Sequence, residues 1–106
     1  HLGVDFRAGS GSPVLAPSRA HVLFAAQVEV GGNTVWLDHG WGVHSGYMHL
    51  RDIVVTPSTD VEAGQVLGTV GATGRVTGPH LHWEVRIHGI PVNPLAFLQR
   101  DVGQVP

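Results

Sequence analysis

Apolar and polar residues alternate with a period of two along much of this chain. The clearest stretch is Leu81-His82-Trp83-Glu84-Val85-Arg86-Ile87, in which every second residue is apolar, the signature of a half-buried strand rather than of a helix. Further runs rich in Val, Leu, Trp and Thr cover residues 21–30, 34–39, 41–49 and 66–70. Turn-forming clusters separate them, among them Gly31-Gly32-Asn33, Gly40-Trp41-Gly42 and Thr56-Pro57-Ser58-Thr59. Strands punctuated in this way predict an all-β, antiparallel domain. Only residues 94–100 suggest a short C-terminal helical turn. Asn93 would cap it, Pro94 would take the first helical position, and Leu95, Phe97 and Leu98 would face the sheet.

Composition narrows the class. At 106 residues the chain makes one domain with a modest core. With 42% apolar residues, 13% charged and a formal charge of −2 it is globular, and no basic surface points to nucleic acid. The absence of cysteine excludes a disulfide framework and thiolate metal ligands. No apolar run is long enough to span a membrane.

Eight histidines are the candidate chemistry. His80 and His82 lie two apart and so share one strand face, while Leu81, Trp83 and Val85 take the other. His1 and Asp5, four apart in an extended segment, also lie on a common side, with Gly3 between them where a bulky side chain would crowd an ion. These residues offer two imidazoles and a carboxylate, with one imidazole to spare. Zinc prefers such nitrogen and oxygen ligands in tetrahedral geometry, and its catalytic sites keep three protein ligands and one open position. A His-x-His pair alone is weak evidence, since such pairs arise by chance and in non-catalytic metal sites. A third fragment, Tyr47-Met48-His49-Leu50, follows the strand-like run from Asn33 to His39 after a glycine-bearing turn.

Taken together the three fragments resemble the LytM/lysostaphin-type zinc metallopeptidases. That family carries His-x-x-x-Asp near the start, Tyr-x-His-Leu in the middle and Gly-Pro-His-Leu-His near the end, and all three occur here in order. The resemblance extends through Pro13-Val14-Leu15-Ala16, Leu37-Asp38-His39-Gly40, Ala63-Gly64-Gln65-Val66-Leu67-Gly68, Gly71-Ala72-Thr73-Gly74, Gly78-Pro79 and Val92-Asn93-Pro94, nearly the whole chain. It implies a β-sheet sandwich with a groove across one sheet. It implies Zn2+ as cofactor, with His1, Asp5 and His82 as ligands. His49 and His80 then match two further active-site histidines that assist the attacking water and the developing oxyanion. Imidazole suits those roles because its ordinary pKa is about 6.5. Tyr47, two residues before His49, is expected to share its face and to meet substrate.

The activity so implied is hydrolysis of peptide cross-links in bacterial peptidoglycan, with the peptide stems as partner and the cell envelope, periplasmic or secreted, as location. By resemblance of residues 47–51 and 71–82, the D-alanyl to diaminopimelate bond is favoured over glycyl-glycine. A chain that begins on a candidate ligand is expected to be a monomeric catalytic domain clipped from a longer envelope protein. The alternative is a non-catalytic wall-binding module or activator of other wall hydrolases, as in relatives that have lost ligands; here every ligand position is filled. A zinc enzyme of carbonic anhydrase-like or cupin-like type would fit the His-x-His pair, but leaves residues 47–50 and Gly78-Pro79 unexplained.

Other prominent residues have plainer readings. His39 reads as a hydrogen-bonded structural histidine, and His21, His44 and His88 as surface or strand-edge residues. Trp36, Trp41 and Trp83 could form a sugar-stacking platform, although strand aromatics usually supply core area. Glu84 shares a face with His82 and could hydrogen-bond a ligand imidazole; a solvent-facing carboxylate is equally compatible with its position. The glycine-rich segment 71–78 neither opens a helix nor carries a phosphate-binding lysine, and reads as tight turns and a groove wall.

Overall fold

A computed structural model describes residues 4–7, 9–73 and 80–92. Among them every regular element is a strand: β1 (Val4–Arg7), β2 (Pro13–Leu15), β3 (Ala20–Val28), β4 (Gly32–Asp38), β5 (Val43–Ile53), β6 (Asp60–Val61), β7 (Val66–Val70), β8 (His80–Ile87) and β9 (Ile90–Val92). The expected all-β antiparallel domain is therefore present. Its strands join in one continuous sheet, ordered β1-β8-β5-β4-β3-β6, with β7 pairing both β5 and β2, and β9 pairing β8. The helical turn expected at residues 94–100 lies outside the described residues. No helix among the described residues is long and apolar enough to cross a membrane.

Strand β5 organises the sheet, because it pairs with β4 on one side and with both β8 and β7 on the other. The sheet thereby turns onto itself around one core. Val22, Val35, Leu37, Leu50, Leu67, Val61 and Val85 are completely or almost completely buried there, with Tyr47 and Trp83 among them. Alternation explains the sorting on β8: Trp83 and Val85 enter the core, while His82 and Glu84 line a groove on the opposite face.

The strands that sequence alternation leaves out are β1, β2, β6 and β9, each two to four residues long. Segments so short carry too few positions to display a period. On β5 the alternation itself is broken. Val35 pairs with Tyr47 but Asn33 pairs with Leu50, so two steps along β4 match three along β5. The extra residue makes a β-bulge at Met48 and His49, and His49 takes the left-handed conformation there, with φ 63°.

Candidate metal and catalytic site

The bulge decides which side chains reach the groove. Without it, His49 would follow Tyr47 into the core and Leu50 would face outward. With it, Met48 and His49 both line the groove and Leu50 joins the core. The expectation that Tyr47 shares a face with His49 and meets substrate is therefore corrected. Tyr47 is only 3% exposed, and its hydroxyl lies 2.9 Å from Ser45 Oγ. Burial raises its phenol above the ordinary tyrosine value, opposed in part by hydrogen bonds with Ser45 and Trp83.

His82 and His49 face one another across strands β8 and β5. Both are 8% exposed, and their rings meet edge to face with centroids 6.2 Å apart. His82 Nε2 is 3.0 Å from Glu84 Oε2, and Arg86 Nη2 donates to the other carboxylate oxygen at 3.2 Å. Arg86 in turn stacks on Trp36, 5.1 Å from the ring centroid. Trp36 fits because it lies across from Gly46, where a Cβ would stand 2.6 Å from the indole ring. Glu84 is thus the partner of a candidate ligand imidazole, one of the two roles open to it in sequence.

The remaining candidates are placed by register. Asp5 sits directly opposite His82 in the antiparallel pairing of β1 with β8, and His80 sits opposite Arg7. Directly paired positions stand about 5 Å apart, so the fold brings the first and last histidine motifs together although 76 residues lie between Asp5 and His82 in the chain. His1 lies outside the described residues, and only the backbone positions of Asp5 and His80 are described. Among the described side chains no three acidic or histidine groups form a complete metal cluster. The donor set nevertheless suits zinc: His82 is anchored through Nε2 by a carboxylate, the arrangement that orients metal-ligating imidazoles, and a carboxylate residue stands opposite it.

The groove that the two histidines line has a volume of about 790 Å³. Leu23, Phe24, Val28 and Val30 form one apolar wall, and Thr34 and Met48 lie between that wall and the histidines.

The other histidines serve the scaffold. His39 bonds Ser18 Oγ at 2.9 Å through Nδ1 and Ser45 Oγ at 2.6 Å through Nε2, so it lies in a polar chain that includes Tyr47. His21 pairs with Asp60 at 2.8 Å, and His44 stands 3.9 Å from Asp38, its cross-strand neighbour. His88 occupies the turn between β8 and β9. No three-tryptophan platform forms: Trp83 is in the core, Trp36 lies under Arg86, and Trp41 is 93% exposed at the turn between β4 and β5. Sequence reasoning did not single out Thr73, whose carbonyl holds His49 Nδ1 at 2.7 Å; it stood inside the glycine-rich segment read as a groove wall.

Residues 1–94 match Peptidase family M23. The chain is 43% identical over 96 residues to a DD-carboxypeptidase/endopeptidase, Mpg, of Neisseria meningitidis, covering 91% of this chain and 22% of that protein. It is 39% identical over 94 residues to the peptidoglycan DD-endopeptidase ShyC of Vibrio cholerae, covering 89% and 22%. The chain therefore spans about a fifth of the length of these curated relatives. Among solved structures, the catalytic domain of the antimicrobial peptidase lysostaphin from Staphylococcus simulans superposes with a TM-score of 0.86 at 34% identity, covering 93% of this chain and 79% of that one. A zinc-containing peptidase from Vibrio cholerae gives 0.84 at 37% identity, covering 87% and 28%.

Proposed function

The chain belongs to Peptidase family M23, and from that premise we propose that it is the catalytic part of a zinc endopeptidase that hydrolyses peptide cross-links of peptidoglycan. The observation that carries this reading is that three separate segments meet at His82: β1, whose Asp5 pairs with it in register, β5, whose His49 ring lies edge to face with it, and its own strand β8, whose Glu84 anchors it.

His1, Asp5 and His82 would hold the ion. Because Glu84 engages Nε2 of His82, this ring would ligate through Nδ1, with the carboxylate fixing its orientation. Zinc, when bound, supplies a Lewis acid and lowers the pKa of water from near 15.7 to about 7. The protein supplies the proton chemistry. His49 has Nδ1 committed to the Thr73 carbonyl, so it exchanges protons through Nε2, accepting one from the attacking water or donating to the oxyanion or leaving amine. His80, on the same strand as His82, is the second such group. Amide hydrolysis then needs no covalent intermediate on the protein.

The groove suits an extended peptide stem, for it crosses the face of strands β3, β4, β5 and β8, past the two histidines, and is open to solvent. The D-alanyl to diaminopimelate cross-link is the favoured bond, because the relatives at 43% and 39% identity are named as a DD-carboxypeptidase/endopeptidase and a peptidoglycan DD-endopeptidase. Such a substrate puts the protein in the cell envelope, where a monomer of this domain suffices. A digest of two defined substrates tests the bond. The zinc-loaded protein is expected to convert a D-alanyl to diaminopimelate cross-linked dimer into monomers and to leave a pentaglycine-bridged peptide intact. Cleavage of the glycine bridge alone would reverse the assignment.

A further inference from the structure

His49 occupies an uncommon backbone state. Its φ of 63° lies in the left-handed region, which a non-glycine residue keeps only when its surroundings enforce it. Two hydrogen bonds provide that enforcement. The His49 N–H donates to the Gly31 carbonyl at 2.7 Å, and Nδ1 lies 2.7 Å from the Thr73 carbonyl oxygen. A carbonyl only accepts, so Nδ1 carries the hydrogen and Nε2 is the basic nitrogen of the neutral ring.

The Thr73 carbonyl is itself held in place by the side chain of the same residue. The Thr73 hydroxyl donates to the Leu50 carbonyl at 2.6 Å and accepts from the Asn33 N–H at 3.0 Å. It thus ties its loop to β5 one residue after His49 and to β4 across from the bulge. Gly32 completes the fit, since a Cβ there would collide with the Thr73 backbone. One hydroxyl therefore joins the loop, the bulge and the neighbouring strand.

Resting on the reading of His49 as a proton-transfer group, we propose that Thr73 is a positioning residue for the hydrolysis. Its hydroxyl fixes the carbonyl that selects the tautomer and direction of the His49 ring. Valine has nearly the shape of threonine without the hydroxyl, and serine keeps the hydroxyl without the methyl, so the pair separates hydrogen bonding from packing.

Long-range proton–nitrogen correlation spectra of histidine-labelled protein, with the His49 signals assigned from His49→Ala, read the tautomer without reference to activity. The unsubstituted protein should show the Nδ1–H form, Thr73→Val should shift toward Nε2–H, and Thr73→Ser should keep the original signature. Zinc content should be equal in all three. In cross-link hydrolysis, Thr73→Val should lose kcat by about tenfold or more with KM held within about twofold, and Thr73→Ser should recover it. An Nε2–H ring at His49 in the unsubstituted protein overturns the proposal without any variant, and so does a Thr73→Val protein that keeps both tautomer and turnover. If no preparation hydrolyses cross-links while the tautomer still follows Thr73, the peptidase reading fails and the positioning of His49 stands.

Discussion

Glu84 Oε2 lies 3.0 Å from His82 Nε2, two residues along the same strand face. The period of the strand thus supplies both a candidate ligand and the carboxylate that orients it. Glu84→Ala removes that orientation and leaves the core untouched, because Glu84 faces the groove. Zinc affinity should fall by about 10–100-fold, measured by competition with a chromogenic chelator. An unchanged affinity would show that the carboxylate does not act on the ligand.

Gly46→Ala should act on the same residues from further away. The added methyl meets the Trp36 ring at 2.6 Å, and Trp36 supports Arg86, which holds Glu84. Overpacking of this kind costs about 1–3 kcal/mol. Urea denaturation should show that loss, and zinc should bind more weakly than in the parent. Weakened folding with full zinc affinity would separate Trp36 from the site.

Ligands and proton-transfer groups should part in their metal content. His82→Ala and Asp5→Ala should lose zinc and activity together. His49→Ala and His80→Ala should keep zinc while turnover drops by about two orders of magnitude, with metal read by atomic spectroscopy and turnover by muropeptide release. Loss of zinc in His80→Ala but not in His82→Ala would exchange the two roles.

Much of this was legible in the sequence. The alternation in residues 81–87 gave the two faces of β8, and the three histidine motifs gave the residues that the register draws together. The side of the sheet that Tyr47 faces was not legible. Spacing of two places Tyr47 and His49 on one face only while the ladder is regular, and the bulge is a relation between β5 and β4 that neither strand records alone. Thr73 was hidden for a similar reason. Its function depends on contacts with Leu50 and Asn33, 23 and 40 residues away in the chain.

Tyr47 should set the alkaline limit of stability. It is the chain's single tyrosine, and burial raises its pKa in the folded protein. The neutral phenol is retained by the native state while the unfolded chain ionises, so the stabilisation is complete below the ordinary value of about 10 and is lost as pH rises above it. Unfolding free energy should fall there by about 1.4 kcal/mol per pH unit from this group. Tyr47→Phe should cost about 1 kcal/mol at neutral pH through the lost hydrogen bond to Ser45, and should remove this part of the alkaline slope. Denaturant titrations of both proteins across that range check the sign; equal slopes would contradict it.

The most direct measurement is mass spectrometry of purified peptidoglycan and its cross-linked muropeptide dimers after incubation with the zinc-loaded protein, beside chelator-treated and His49→Ala samples. Endopeptidase function predicts conversion of dimers to monomers in the loaded sample and in neither control, with fragment masses that place the cut at the D-alanyl to diaminopimelate bond. Intact dimers after incubation with protein shown to contain zinc would contradict it and favour a wall-binding or activating module.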